Sequence, residues 1–339
     1  MILLLVLLIL FFPASSFAEP TGVSLLGVLN STTSLTNGNA NHSWIDIYAA
    51  RTTWQNLDTV GSPYDFTYID AVVNGCEAIN KKFTLCIHPS CAPAYVVSGA
   101  GETYTPTIAG TACTTPVPWD SHAIGDLEAF VLALSNHVTG AYGALKSNPL
   151  LVGVRIGFMG LKGLDEDDND IMVNLASYNR TDFTTGMLRT MHAWADAFPA
   201  KAVFVEIEPF TDHTASPRLD SVLIDAFMTE FDGTPYQNMG VFIESMSENW
   251  PTVGSWPDVN LVHARSHGSW AGFQAVGVWG VEPYSALKLC WSQYRSEYYE
   301  LYNSDLNNGS FEASYVLWHA FFAGTGPYPA ASILGCRIQ

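Results

Sequence analysis

Residues 150–170 read LLVGVRIGFMGLKGLDEDDND, and this stretch contains the pattern on which the fold prediction rests. A short apolar run rich in Val and Ile predicts a buried strand, and a polar loop follows it directly. The same unit recurs along the whole chain. The eight predicted strands are 23–29, 44–50, 83–89, 151–158, 202–209, 239–245, 272–279 and 298–303.

Segments with helical periodicity lie between these strands. Residues 67–80 carry apolar side chains at helical spacing, and residues 121–142 repeat the pattern with Asp120 or Ser121 as the N-cap. Strands that alternate with helices predict a parallel α/β fold. Eight strands without a low-complexity linker favour a single (β/α)8 TIM barrel over residues 19–339, with a doubly wound open sheet as the alternative. In such a barrel the active site is built at the carboxyl ends of the strands.

The first 18 residues are predicted to be a signal peptide, because an apolar run is followed by Pro13 and by small residues before position 19. The run is shorter than the roughly 20 apolar residues that span a bilayer. The missing positive charge near Met1 leaves an uncleaved anchor as the alternative. We therefore expect a secreted protein without membrane contact after cleavage, and a glycoprotein. The predicted glycosylation sites are the N-x-S/T residues Asn30, Asn41, Asn179 and Asn308.

The charge balance excludes several classes of partner. Only 14 Lys and Arg face 32 Asp and Glu, which gives a net charge of −18. Nucleic acid and anionic membranes both require a basic surface, so neither is expected as a partner. With 13% aromatic residues and only 14% charged residues, the composition favours a neutral, hydroxyl-rich ligand. No nucleotide-binding or serine-hydrolase motif is present, so no cofactor is expected.

Six cysteines in an exported chain are expected to form disulfides rather than a metal site. The predicted pairs are Cys91–Cys113 around a Gly/Thr/Pro-rich segment, Cys290–Cys336 between the last helices, and by elimination Cys76–Cys86. Fifteen connectivities are formally open to six cysteines. His263 and His267 are spaced four residues apart, but without an intervening Glu or a helical stripe they are predicted to be polar loop residues and not zinc ligands.

A resemblance to known enzymes appears in residues 46–70, DIYAARTTWQNLDTVGSPYDFTYID. A strand that ends in Arg, a following Trp and a Tyr-Asp-aromatic turn into a helix resemble the second strand of many TIM-barrel glycoside hydrolases. KKFTLCIHPS resembles their third strand, and PVPWD resembles the approach to their fourth. The similarity is patchy and extends from about residue 44 to residue 306. It implies hydrolysis of O-glycosidic bonds in an oligo- or polysaccharide.

The chain departs from the largest clan of these enzymes, whose two catalytic glutamates end strands four and seven, the first usually after Asn. Here strand four ends in Gly157-Phe158 and strand seven ends in Trp279-Gly280. The missing glutamates support an alternative function. The chain would then be a catalytically inactive barrel that serves as an extracellular carbohydrate-binding or structural protein.

Other carboxylates lie on the expected rim. Glycoside hydrolysis needs one carboxyl group to protonate the leaving oxygen and a second to attack or to activate water. Our preferred catalytic pair is Glu244 with Glu300, in strands six and eight, followed by Glu206 in strand five and Glu166 in the acidic loop. Charged groups in apolar strands are costly unless they are paired or used. The alternative for each strand glutamate is therefore a salt bridge, for instance to Arg51 or Arg155.

The acidic loop has two other interpretations. Runs of charge are usually solvated, and Asp165, Asp167 and Asn169 match the ligand spacing of a calcium loop, although Asp170 replaces the Gly that an EF-hand requires. We therefore reject an EF-hand and predict no metal ligand there, with an irregular calcium site as the alternative. Aromatic rings and hydrogen-bond donors near strand ends are typical of sugar sites. The predicted substrate-binding residues are Arg51, Trp54, His88, Trp119, Trp250, Trp279 and Glu282.

Overall fold

Eight parallel strands form a closed barrel in the computed structural model of the chain. The structure describes residues 20–27, 31–89, 91–108, 111–156, 169–206, 210–214, 216–233, 235–247, 249–275 and 283–326. The strands are β1 (Gly22–Leu26), β2 (Ile47–Thr53), β3 (Lys82–His88), β4 (Leu151–Ile156), β5 (Ala202–Glu206), β6 (Met239–Met246), β7 (Trp270–Ala275) and β8 (Tyr298–Leu301). Each strand pairs with its neighbour in sequence, and β8 closes the ring on β1. The predicted (β/α)8 TIM barrel is confirmed, and the open sheet is excluded.

Helices surround the barrel. They are α1 (Thr33–Thr36), α2 (Trp54–Leu57), α3 (Thr67–Ala78), α4 (Ala94–Gly99), α5 (Ser121–Asn136), α6 (Asn169–Val173), α7 (Arg180–Ala197), α8 (Leu219–Glu230), α9 (Trp256–Ser266), α10 (Tyr284–Tyr294), α11 (Asn303–Leu306) and α12 (Glu312–Phe322). The two predicted helices, α3 and α5, are confirmed. Asp120 is the N-cap of α5, since its carboxylate accepts a hydrogen bond from the Ala123 backbone N–H at 2.9 Å. Helix α5 ends at Asn136, six residues earlier than predicted. Beyond its end, Val138 and Ala144 form a β-bridge.

The prediction that His263 lies in a loop is wrong, because His263 belongs to α9 and His267 caps its C-terminus. The buried face of α9 includes Asp258 and Asn260, which interrupt the apolar stripe on which sequence reasoning relies. His263 is paired with Asp225 on α8 at 3.1 Å. Among the residues that the structure describes, no group of three His, Cys, Asp or Glu side chains is arranged to hold a metal ion.

The lower half of the barrel interior is filled by an aromatic floor. Its members are Ile47, Ala202, Phe204, Phe242, Trp270 and Tyr298. The rings of Phe204 and Tyr298 stack with their centroids 5.0 Å apart. Gly272 makes this packing possible, because a Cβ there would lie 2.9 Å from atoms of both Phe242 and Tyr298. The amino-terminal half is therefore closed, and any chemistry inside the barrel belongs to its carboxyl end.

One disulfide prediction is confirmed and one is wrong. Cys91 and Cys113 are bonded, and their disulfide closes the loop between β3 and α5, which carries two short antiparallel hairpin pairings at 103–116. Cys76 and Cys86 are free, buried thiols. They cannot pair because Cys76 packs in the outer core from α3, whereas Cys86 lies in β3 and bonds to Arg155. Cys290 is also a free buried thiol, and its predicted partner Cys336 lies outside the described residues.

The predicted signal peptide and Asn30 also lie outside the described residues. Within the described part of the chain, no helix has the length and apolar character needed to cross a membrane. The other three predicted glycosylation sites, Asn41, Asn179 and Asn308, are exposed. Asn179 also caps α7, where its side-chain oxygen accepts hydrogen bonds from two backbone N–H groups. Glycosylation and export stay predictions.

Candidate active site

Above the aromatic floor, inward-facing side chains near the carboxyl ends of the strands form a buried polar layer. Alternation along each strand puts every second residue on the inner face, so neighbouring strands contribute polar groups at matching heights. Every residue that contributes to this layer is at most 8% exposed. The polar layer consists of Arg51, Cys86, His88, Arg155, Glu206, Glu244, Gln274 and Glu300.

Arg155 on β4 is the centre of the polar layer. Its Nη2 donates a hydrogen bond to Glu244 Oε1 at 2.8 Å, and its Nη1 donates to Glu300 Oε2 at 3.1 Å and Gln274 Oε1 at 3.3 Å. The Nε group donates to the sulfur of Cys86 at 3.0 Å. The guanidinium lies over the ring of Phe242, 4.5 Å from the centroid, which joins the polar layer to the aromatic floor.

A second cation, Arg51 on β2, shares two of these acceptors. Arg51 Nη2 donates to Glu244 Oε1 at 3.0 Å, and Nη1 donates to Gln274 Oε1 at 3.2 Å. His88 Nε2 lies 3.3 Å from Arg51 Nη2. Burial, and then the two arginines, hold the pKa of His88 well below its ordinary value. His88 is therefore neutral and can accept the arginine hydrogen bond.

Glu206 on β5 is the carboxyl group without a hydrogen-bond donor. It is 1% exposed, and both of its carboxyl oxygens lack a hydrogen-bond donor among the described residues. Its Oε2 is 3.7 Å from Arg155 Nε, which is within ion-pair range but too long for a hydrogen bond. Burial, and then the neighbouring Glu244, raise the pKa of Glu206 well above its ordinary value. Glu206 is therefore held in its protonated form.

Glu244 on β6 is next to Glu206 but is better compensated. Burial raises the pKa of Glu244, while Arg155 and Arg51 act in the opposite direction, so its pKa is raised less than that of Glu206. The two glutamates on adjacent strands therefore differ in how tightly they hold a proton.

Glu300 on β8 is held from both sides. Its Oε1 accepts a hydrogen bond from the Tyr298 hydroxyl at 2.7 Å, and its Oε2 accepts the one from Arg155. The Tyr298 hydroxyl also lies 2.8 Å from Thr84 Oγ1. Both oxygens of Glu300 thus have partners, in contrast to those of Glu206.

The predicted site residues divide into three groups. Glu206, Glu244, Glu300, Arg51 and His88 come together in the polar layer. The alternative role of the strand glutamates, salt bridges to Arg51 and Arg155, is also present in the structure. The predicted site residues outside the described part of the chain are Glu166, Trp279 and Glu282.

The remaining predictions concern three tryptophans. The prediction that Trp54 binds sugar is wrong, because Trp54 is completely buried in α2. Its Nε1 donates a hydrogen bond to Asp58 at 2.9 Å, and its ring packs on Phe130. Trp119 is half-buried and meets Tyr178 edge-on, and Trp250 is half-buried beyond the end of β6. These two tryptophans stay candidates for substrate binding.

Sequence reasoning missed three members of the polar layer as site residues. Arg155 was considered only as a salt-bridge partner, Cys86 was assigned to a disulfide, and Gln274 was not singled out. A polar side chain inside an apolar strand was the available signal for Arg155 in LVGVRI and for Gln274 in WAGFQA.

The fold is similar to those of solved carbohydrate-active enzymes. The catalytic domain of β-amylase from Paenibacillus polymyxa matches at a TM-score of 0.59 and 10% identity, over 90% of this chain and 99% of that chain. An intracellular xylanase from Thermoanaerobacterium saccharolyticum matches at 0.50 and 13% identity, over 85% of this chain and 87% of that chain. The resemblance to TIM-barrel glycoside hydrolases is thus confirmed at the level of the fold.

A β-galactosidase from the psychrophilic Marinomonas ef1 matches at a TM-score of 0.54 and 7% identity, over 89% of this chain but only 60% of that chain. No family model matches the sequence, and no curated protein matches it significantly. The similarity to known proteins is therefore one of architecture, and function has to be argued from the polar layer.

Proposed function

We propose that the chain is a glycoside hydrolase that cleaves O-glycosidic bonds of an oligo- or polysaccharide, with Glu206 as the proton donor and Glu244 as the nucleophile or base. The observation that carries the proposal is the contrast between two glutamates at the carboxyl ends of β5 and β6. Glu244 accepts hydrogen bonds from Arg51 and Arg155, whereas neither carboxyl oxygen of Glu206 has a partner among the described residues. Two neighbouring carboxyl groups whose surroundings push their pKa values apart suit acid-assisted glycoside cleavage.

The two glutamates take different roles because their partners differ. Glu206 has no hydrogen-bond donor among the described residues and keeps its proton, so it can protonate the leaving oxygen. Glu244 accepts hydrogen bonds from both arginines, which stabilise a carboxylate that attacks the sugar or activates water.

Glu300, a member of the pair preferred from the sequence, fits a supporting role better. Both of its oxygens already accept hydrogen bonds, from Tyr298 and from Arg155, whereas neither oxygen of Glu206 has a partner among the described residues. Its negative charge helps to balance Arg155. A carbohydrate ligand is supported by the similar barrels, which include a β-amylase and a xylanase.

A second function has a specific observation in its favour. All three glutamates are at most 8% exposed and lie within ion-pair range of Arg155, which is the arrangement expected of a structural network. In that case the barrel would be a catalytically inactive carbohydrate-binding or structural protein.

The deciding experiment is turnover on a panel of glycans by the wild-type chain and by Glu206→Gln, Glu244→Gln and Glu300→Gln. We expect the first two changes to reduce kcat about 10²- to 10⁴-fold, as for loss of a general acid or base, and Glu300→Gln to reduce it less. Glu128→Gln is the matched control, because Glu128 forms an exposed ion pair with Arg189 on the outer helices. Turnover that survives both Glu206→Gln and Glu244→Gln would refute the site, and glycan binding without turnover would favour the inactive barrel.

Export and glycosylation belong to the same proposal. The exposure of Asn41, Asn179 and Asn308 supports modification at these positions. Expression in eukaryotic cells should release a chain that starts near residue 19 and loses mass on enzymatic deglycosylation. Retention of residues 1–18 in a membrane fraction would instead indicate an anchor.

A further inference from the structure

We propose that Cys86 is a positioning residue, which engages the Nε–H group of Arg155 and so keeps Glu206 in its acid form. The inference rests on the proposed role of Glu206 as the proton donor. Cys86 lies in β3, is 2% exposed and is not part of a disulfide. It therefore contributes a free thiol to the polar layer.

The Nε atom of Arg155 has two possible acceptors but only one hydrogen to donate. Arg155 Nε carries a single hydrogen, and that hydrogen is directed at the Cys86 sulfur, 3.0 Å away. Glu206 Oε2 lies 3.7 Å from the same nitrogen and receives no hydrogen bond. The thiol and Glu206 thus compete for one donor, and the thiol has it.

The competition matters because a carboxylate is the stronger acceptor. A hydrogen bond from an arginine to an ionised carboxylate is charge-assisted, whereas sulfur is a weak acceptor. If the sulfur were removed, a buried Nε–H would be left unsatisfied, with Glu206 less than about 1 Å beyond hydrogen-bonding distance. A small shift of the guanidinium would then give Glu206 a donor that favours its ionised form.

Other charged groups face Glu206 from the neighbouring strands. Glu244 on β6 favours a protonated Glu206, whereas Arg155 on β4 and Arg51 on β2 oppose it. Farther round the barrel, Glu300 on β8 and the neutral His88 on β3 also contact one of the two arginines. The Cys86 sulfur also lies 3.4 Å from His88 Nε2, so a Cys86 substitution changes contacts with both His88 and Arg155. Of these two partners, Arg155 is the one within ion-pair range of Glu206, so a change in the titration of Glu206 would report on the contact between Arg155 and Cys86.

The test compares two kinds of Cys86 variant. Cys86→Ala and Cys86→Val remove the acceptor, whereas Cys86→Ser retains one. Cys76→Ala is the matched control, because Cys76 is also a free buried cysteine but packs in the outer core. The first readout is the infrared carbonyl band of a protonated carboxyl group, assigned to Glu206 by its loss in Glu206→Gln and titrated with pH. The second is the pH profile of kcat/KM on a glycan that the wild type hydrolyses.

We expect the infrared band of Cys86→Ala and Cys86→Val to disappear at a pH about one unit or more below that of the wild type, the size expected for one added charge-assisted hydrogen bond. The alkaline limb of the kcat/KM profile should move in the same direction, because that limb reports the essential acid. Cys86→Ser and Cys76→Ala should titrate like the wild type.

Two results would overturn the inference. The first is a Cys86→Ala or Cys86→Val band that titrates at the wild-type pH, and the second is a wild-type chain without a protonated Glu206 band. The infrared readout does not depend on turnover. A chain that shows the expected infrared shifts but hydrolyses no glycan would therefore refute the proposed function and leave the role of Cys86 supported.

Discussion

Replacing Arg155 with methionine should destabilise the fold by leaving buried carboxylates without their cation. Removing one partner of a buried ion pair costs about 3–5 kcal/mol, because the other charge stays buried and uncompensated. In this variant Glu244 still accepts the hydrogen bond from Arg51 at 3.0 Å. Glu300 retains only the Tyr298 hydroxyl at 2.7 Å. We therefore count one stranded carboxylate and expect a loss of about 3–5 kcal/mol in the free energy of unfolding.

The loss should depend on pH with a definite sign. A buried carboxylate that has lost its cation binds a proton more tightly in the folded variant than in the unfolded chain. Unfolding then releases protons, so the variant becomes less stable relative to the wild type as the pH rises. Urea unfolding at about pH 5 and about pH 8 measures the difference, provided the slope of the unfolding free energy against urea is unchanged.

Two further variants test the reasoning behind this prediction. Arg189→Met is the matched control, because Arg189 pairs with Glu128 on the surface, where both side chains are more than one third exposed, and it should cost less than about 1 kcal/mol. The double variant Arg155→Met/Glu300→Gln should be more stable than the sum of the single changes predicts. A loss below about 1 kcal/mol for Arg155→Met at about pH 8, or strict additivity in the double variant, would refute the interpretation of Arg155 as the neutralising cation.

Three other predictions concern Asp58, the Cys91–Cys113 disulfide and Glu206. Asp58→Ala should lower the unfolding free energy by about 3 kcal/mol in urea titrations, because the buried Asp58 carboxylate accepts three hydrogen bonds; a loss below about 1 kcal/mol would contradict this. Replacing Cys91 and Cys113 by serine should cost about 3 kcal/mol, given the 22-residue separation, and reducing agent should lower the melting temperature of the wild type but not of the variant. Glu206→Gln should be at least as stable as the wild type at about pH 8, because the raised pKa of Glu206 makes unfolding of the wild type release a proton there; a less stable variant in urea titrations at that pH would argue against a protonated Glu206.

The barrel could be predicted because each strand can be recognised from its own short stretch of sequence. Each strand is a short run rich in aliphatic or aromatic residues, and this composition requires no knowledge of distant residues. The ends were less predictable, since the run at 151–158 suggested a longer strand than Leu151–Ile156. Helix α9 escaped prediction because Asp258 is buried on its inner face, where it accepts hydrogen bonds from Tyr294 and Gln293. Such a polar partnership between helices leaves no apolar periodicity in the sequence.

The polar layer could be predicted only in part, because its contacts depend on the closure of the barrel. The sequence indicated that the strand glutamates would need partners, and it named Arg51 and Arg155 as possible ones. It could not show that Arg155 reaches Glu300, which is 145 positions away, since that contact follows from the register of strands on opposite sides of the ring. Trp54 illustrates the same limit, because a tryptophan after a strand has the same local sequence whether its ring is buried or exposed.

The aromatic floor has a consequence for the shape of any substrate. Stacked rings close the amino-terminal half of the barrel, so the interior opens only at the carboxyl end and a polymer cannot pass along the barrel axis. A long polysaccharide would have to lie across the mouth and bend only one sugar unit down towards the carboxyl pair, while a chain end could enter directly. Comparing the products released from a long glycan and from its short fragments would separate these two modes of attack.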